Sequence, residues 1–136
     1  MMRRLDEKVL VAGQIDPAGL GDIAAQGITT LINNRPDFEE PGQPTSAEIE
    51  AAARAAGLDY RHIPVSGGFS HGQVEAMTEA LESADGQLLA FCKSGTRSAY
   101  LWALAEAARG TDGEELLRKG AAAGYDLSPM RGFFAR

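Results

Sequence analysis

Cysteine is nearly absent from this chain of 136 residues, where Cys92 stands alone. One thiol excludes an intramolecular disulfide and a cysteine-rich zinc site. The two histidines, His62 and His71, show no ligand spacing, so neither a metal nor another cofactor is expected. Long apolar runs are also missing: the longest, Ala99 to Ala105, has seven residues, against roughly 20 for a membrane span. Met1-Met2-Arg3-Arg4-Leu5-Asp6-Glu7-Lys8 carries two arginines with no apolar segment behind them, so a secretory leader is not expected and a cytoplasmic location is. A lone free thiol fits that reducing compartment. Basic residues are in deficit too, with 13 Lys and Arg against 19 Asp and Glu and a net charge of −6. That balance argues against nucleic acid or an anionic membrane as a partner. It leaves room for one local positive pocket holding a small anionic group, and no feature specifies an oligomeric state.

What is present describes a soluble globular chain, 44% hydrophobic and 24% charged, long enough to bury a core without disulfides. Strand and helix signals alternate along it, which predicts a single α/β domain with a mostly parallel four- to five-stranded sheet flanked by helices. Val9–Ala12 reads as a strand, and Asp16-Pro17 opens a helix through about Gln26. Thr29–Ile32 is a β-branched strand, followed by a long proline-rich loop, Asn33–Pro44. Thr45-Ser46-Ala47-Glu48 is a capping box for a helix ended by Gly57, and Asp59–Ile63 is a strand stopped by Pro64. Ser66–Gly72 is a second loop, with Ser70 and Gln73 capping the helix that follows. Gln87–Phe91 forms an apolar run short enough for a buried strand, flanked by helices on both sides. Ser98–Arg109 is a helix apolar nearly all round, which places Tyr100, Trp102 and Leu104 in the core. Thr111-Asp112-Gly113-Glu114 caps one more helix, stopped by Gly124.

Phe91-Cys92-Lys93-Ser94-Gly95-Thr96-Arg97-Ser98 joins the buried strand to the buried helix. A chain turning there aims several backbone N–H groups inward as an anion cradle, and Gly95 permits the curvature. Those donors and the helix dipole favour thiolate over thiol, which lowers the pKa of Cys92 and raises its nucleophilicity. Arg97 can fold its planar fork back over the cradle to bind two oxygens of a tetrahedral oxyanion. Lys93, Ser94, Gly95, Thr96 and Ser98 supply the remaining anion contacts. A free cysteine alone is most often an inert core residue; the combination with this glycine, arginine and following helix points to chemistry.

Cys92–Ser98, with Ile32-Asn33-Asn34-Arg35-Pro36-Asp37 and Ile63-Pro64-Val65-Ser66-Gly67-Gly68, resembles the beta-lactamase hydrolase-like phosphatase family, of protein-tyrosine/dual-specificity phosphatase-like fold. The likeness runs from about Gly13 to Leu127. It implies that residues 1–136 form one phosphatase-like domain with the Cys92 loop as its oxyanion cradle. In that family the domain occurs alone or fused to a metallo-beta-lactamase-like domain, and this chain corresponds to the first part. The sequence departs from the phosphatase pattern H-C-x5-R, with Phe91 in place of the histidine and four residues between Cys92 and Arg97. A six-residue Cys-to-Arg loop is similar to that of rhodaneses, which carry sulfur as a cysteine persulfide.

A phosphatase of this type also needs a proton donor for the leaving alkoxide, usually an Asp in the loop after the third strand. Pro64–His71 contains no carboxylate. Asp37 in the other long loop is the first candidate and His71 the second. Arg35 either lines the pocket or pairs with Glu39 or Glu40, and Glu39-Glu40 reads as a solvated charge pair. His62 reads as a core or sheet-face residue. Three functions follow: a cysteine-dependent phosphatase-like hydrolase acting on a phosphate ester, a sulfurtransferase taking sulfur from a sulfane donor, and a non-catalytic phospho-ligand binding module.

Overall fold

Five strands, β1 (Met2–Arg4), β2 (Val9–Ala12), β3 (Ile28–Asn33), β4 (Asp59–His62) and β5 (Gln87–Phe91), form one sheet in the order β1-β2-β5-β3-β4. The computed structural model describes residues 2–134; Met1, Ala135 and Arg136, included in the expected domain, lie outside the described residues. β2, β5, β3 and β4 are parallel, with Leu10 opposite Leu89 and Ile32 opposite Ala90, and β1 pairs antiparallel to β2. The expected parallel core is therefore present. The edge strand β1 carries exposed arginines and no apolar alternation, so nothing in its composition marked it as a strand.

β5 is central because its residues are apolar on both faces, as a strand covered by helices on both sides requires. Leu88 and Ala90 point into one hydrophobic cluster, Leu89 and Phe91 into the other. The first cluster lies under α3 (His71–Ser83), α4 (Thr96–Ala108) and α5 (Gly113–Ala122); the second lies under α1 (Leu20–Ala25) and α2 (Ser46–Ala55). Both expected capping boxes form: Thr45 with Glu48 opens α2, and Ser70 with Gln73 opens α3.

Two helix starts differ from the sequence reading. Asp16 accepts the Ala18 amide as expected of a cap, but Pro17–Gly19 is a 3-10 turn and α1 begins only at Leu20. α4 begins at Thr96 instead of Ser98, because Gly95 takes up the left-handed conformation directly before it. A short C-terminal α6 (Arg131–Phe134) follows a 3-10 turn at Ser128–Met130. Trp102 is in the core, whereas Tyr100 and Leu104 are only half-buried, on the flank of α4 that faces away from the sheet.

The four parallel strands deliver their following loops to one sheet edge, the edge where open α/β sheets hold their ligands. Cys92 lies at that edge, one residue beyond β5. No helix among the described residues is long and apolar enough to cross a membrane.

Candidate active site

The chain leaves β5 at Cys92, whose amide still bonds to the Ala12 carbonyl (3.3 Å) as if the ladder continued. It then turns within three residues. Gly95 adopts φ +94°, a conformation that costs an L-residue about 1–2 kcal/mol, and its amide points back to donate to Cys92 Sγ at 3.1 Å. A β-carbon at position 95 would run into the Tyr125 hydroxyl, which itself donates to the Ser94 carbonyl at 3.3 Å. Glycine is therefore required twice over, by backbone conformation and by close approach.

Cys92 is fully buried, and burial is the largest single influence on its thiol, opposing ionisation. The amides of Ser98, Ser94 and Gly95, with the Ser98 hydroxyl, together outweigh it and hold the pKa below the ordinary value. The backbone amides supply most of this stabilisation of the thiolate. Ser98 has one hydroxyl proton, and it is given to Asn34 Oδ1 at 2.8 Å, so it serves the sulfur only when Asn34 releases it. Asn34 also bonds the Ile63 carbonyl through Nδ2 (2.9 Å) and the Phe91 carbonyl through its amide (2.8 Å), tying together the ends of β3, β4 and β5 around the thiol.

Arg97, the second residue of α4, is held by a carboxylate that the sequence reading left in solvent. Its Nη1 donates to Glu39 Oε2 (2.7 Å) and to the Val65 carbonyl (2.8 Å), and its Nη2 donates to Glu39 Oε1 (2.9 Å). A guanidinium has five N–H donors. Three are engaged, which leaves Nε–H and one Nη2–H, the adjacent pair that forms the side-on edge of the fork. Glu39 also accepts from Arg35 Nε at 2.9 Å. Its carboxyl is pulled down to about 2, first by the Arg97 hydrogen bonds, with burial opposing and Arg35 adding. Arg97 is raised in turn, first by Glu39, with burial opposing and the charge of Cys92 contributing.

Arg35 is buried at 2% exposure and serves as a strut behind Glu39. Its Nη1 donates to Gln14 Oε1 (2.8 Å), and its Nη2 lies 3.0 Å from Glu40 Oε1 but out of line for a hydrogen bond. Of the two alternatives for this residue, pairing with the glutamates is the one observed. Glu39-Glu40 is accordingly exposed but more than a solvated pair: both carboxylates are engaged, and Glu40 also lies 3.5 Å from Lys93 Nζ. The Arg35–Glu39 spacing of four residues was visible in the sequence. The second partner, 58 residues further on, was not.

The remaining candidates divide. Ser94 Oγ donates to Thr96 Oγ1 at 3.2 Å within the loop, and Lys93 extends outward. Asp37 Oδ1 accepts the Ser46 amide at 2.7 Å, bracing the start of α2. His71 is 88% exposed at the start of α3, beside Glu75 at 3.5 Å. His62 is half-buried, with Nε2 2.9 Å from the Arg35 carbonyl oxygen. No cluster of His, Cys, Asp and Glu among the described residues is arranged to hold a metal ion.

With this geometry in hand, comparisons with known proteins give a consistent answer. Residues 1–109 match the family model described as beta-lactamase hydrolase-like protein, phosphatase-like domain. A beta-lactamase hydrolase-like protein of Agrobacterium fabrum is 43% identical over 108 residues, which cover 79% of this chain and 25% of that protein. The chain thus spans about a quarter of the length of that curated relative. A crystal structure from Neisseria meningitidis, provisionally named a phosphatase, superposes with TM-score 0.83 at 35% identity, covering 97% of this chain and 94% of that one. Kinase associated phosphatase shares the fold alone, with TM-score 0.73 at 11% identity, covering 93% of this chain and 83% of that one. The chain belongs to the beta-lactamase hydrolase-like family and carries its phosphatase-like domain, an α/β unit of the protein-tyrosine/dual-specificity phosphatase type.

Proposed function

We propose that this domain is a cysteine-dependent phosphatase-like hydrolase in which the Cys92 thiolate is the nucleophile and Arg97 clamps the transferred group. The observation that carries this reading is the donation of the Gly95 amide to Cys92 Sγ, beside an arginine whose side-on edge is left open. The thiolate attacks phosphorus, the bond to the leaving oxygen breaks, and a phosphocysteine forms. Water then attacks phosphorus, the thiolate leaves, and inorganic phosphate is released. Loop amides and the Nε/Nη2 edge of Arg97 meet the equatorial oxygens where charge accumulates. Lys93, Ser94, Thr96 and Ser98 complete the loop, and Arg35 acts at one remove, by fixing Glu39.

Proton delivery is the weak point of such a site. Asp37 would have to release the Ser46 amide to act as an acid, and His71 points to solvent. The enzyme is therefore expected to favour leaving groups that depart as stable anions, such as aryl oxides. The same facts support a second reading. With a loop one residue shorter than the phosphatase pattern and no engaged acid, Cys92 can attack the outer sulfur of thiosulfate and expel sulfite, which needs no proton. The resulting persulfide then gives its sulfur to a thiol or to cyanide. Purified protein assayed with an aryl phosphate and, separately, with thiosulfate plus cyanide tests both. Phosphate release abolished by Cys92→Ser is the expected result. Turnover of thiosulfate alone, abolished by the same substitution, would overturn the hydrolase in favour of the sulfurtransferase.

A further inference from the structure

Beside the cradle, a groove of about 940 Å³ begins at Thr96 and Arg97 and runs along the outer flank of α4 to Met130 and Phe133. That volume falls within the range of small-molecule sites, about 300–1,000 Å³. The groove explains why Tyr100 and Leu104, apolar and on a central helix, are not wholly in the core. Arg97, Tyr100, Leu104 and Ala108 recur at spacings of three and four, which puts them on one helix face. The distance along the axis from Arg97 to Ala108 is about 16 Å at 1.5 Å per residue. Phe69, tilted against Tyr100 with ring centres 6.2 Å apart, forms the opposite wall near the cradle, and Phe133, 58% exposed, forms the far end.

From this we infer, resting on the hydrolase reading above, that the groove takes the apolar tail of the substrate, which is an amphiphilic monophosphate with an unbranched chain of about twelve to thirteen carbons. Charge and shape select this occupant. The cationic end is Arg97, whose free fork edge serves the cradle; among the described residues the only other ionisable side chains in the lining are His71 and the Tyr100 phenol, and no carboxylate lines it. A fixed cation at one end of a long apolar channel is the complement of a phosphate head with a hydrocarbon tail. An extended chain advances about 1.25 Å per carbon, from bonds of about 1.5 Å, so the channel length sets the tail length. The net charge of −6 disfavours docking on an anionic lipid surface, so the ligand enters as a single molecule. The lining comes from the 67–71 loop, α3, α4 and the C-terminal segment, so no sheet edge is offered to an extended peptide.

The test is a series of n-alkylphosphonates, from ethyl to tetradecyl, titrated calorimetrically below their micelle concentrations into the intact protein and into Leu104→Glu. Expected is a dissociation constant that falls about two- to fourfold per methylene and levels off near dodecyl. In Leu104→Glu the chain-length dependence should flatten while ethylphosphonate binding is unchanged, which also reports that the variant is folded. Ethylphosphonate bound but dodecylphosphonate bound no more tightly overturns the groove assignment alone. Failure of every phosphonate, ethyl included, overturns the cradle reading and the groove with it. Tighter binding of a tyrosine-phosphorylated peptide than of dodecylphosphonate, or self-association abolished by Leu104→Glu, overturns the proposal in favour of a peptide or a second copy.

Discussion

Replacing Glu39 with glutamine keeps the shape of the side chain and removes the charge that two guanidinium groups share. In the folded protein this carboxyl titrates at about 2, against an ordinary value of 4.5. At about 1.4 kcal/mol per unit, the full difference sets a ceiling of about 3 kcal/mol. The Glu39 side chain is 28% exposed, so solvent screening reduces the expected contribution to about 1–1.5 kcal/mol. Because the folded value lies below the unfolded one, this stability is fully present above the unfolded pKa. It is lost as pH falls from about 4.5 towards 2. Urea unfolding of the wild type and Glu39→Gln should therefore differ by about 1–1.5 kcal/mol near pH 7, by roughly half that near pH 3, and by almost nothing near pH 2. The difference between the two proteins is the quantity to follow, since other carboxylates titrate in both. A difference that stayed constant from about pH 7 to 3 would refute the charge argument and assign the effect to packing.

Three further outcomes follow from the site. The pH profile of iodoacetamide alkylation at Cys92 should have its half-point below the unperturbed value of about 8.5; a half-point at or above it would mean that burial outweighs the loop amides. Gly95→Ala should destabilise by about 2 kcal/mol or more, from the left-handed backbone and the approach to Tyr125. Tyr125→Phe in that background should recover part of the loss, and a strictly additive double mutant would count against the contact. With aryl phosphates of rising leaving-group pKa, Asp37→Asn should leave the slope of log rate unchanged. A slope that steepens in the variant would establish Asp37 as the proton donor and require it to leave Ser46 during turnover.

Much of the frame was legible because its signals are local. Apolar Gln87–Phe91, the capping boxes at Thr45 and Ser70, and Gly95 each announce their own conformation within a few residues, and together they placed Cys92 between strand and helix. The Glu39 clamp was not legible, because an exposed-looking Glu-Glu pair and an arginine 58 residues away have no shared sequence signal. Their meeting depends on how the loops after β3 and β5 converge at one sheet edge. β1 was missed for a related reason: an edge strand that packs a single residue, Met2, on the core need not alternate. The groove was hidden too, since Tyr100 and Leu104 on an apolar helix look the same whether a neighbouring element covers them or not.

The position of β5 in the middle of the sheet has a consequence for hydrogen exchange. A strand paired on both sides and covered on both faces opens only when the whole domain unfolds, whereas surface loops open at far smaller cost. Amides of Leu88–Phe91 should therefore exchange at the rate of global unfolding, and those around Phe38 and Gly42 far faster. The root of the Cys92 loop would then persist through local fluctuations that release the Glu39 clamp. Loss and recovery of the clamp would leave the nucleophile in register with its amides.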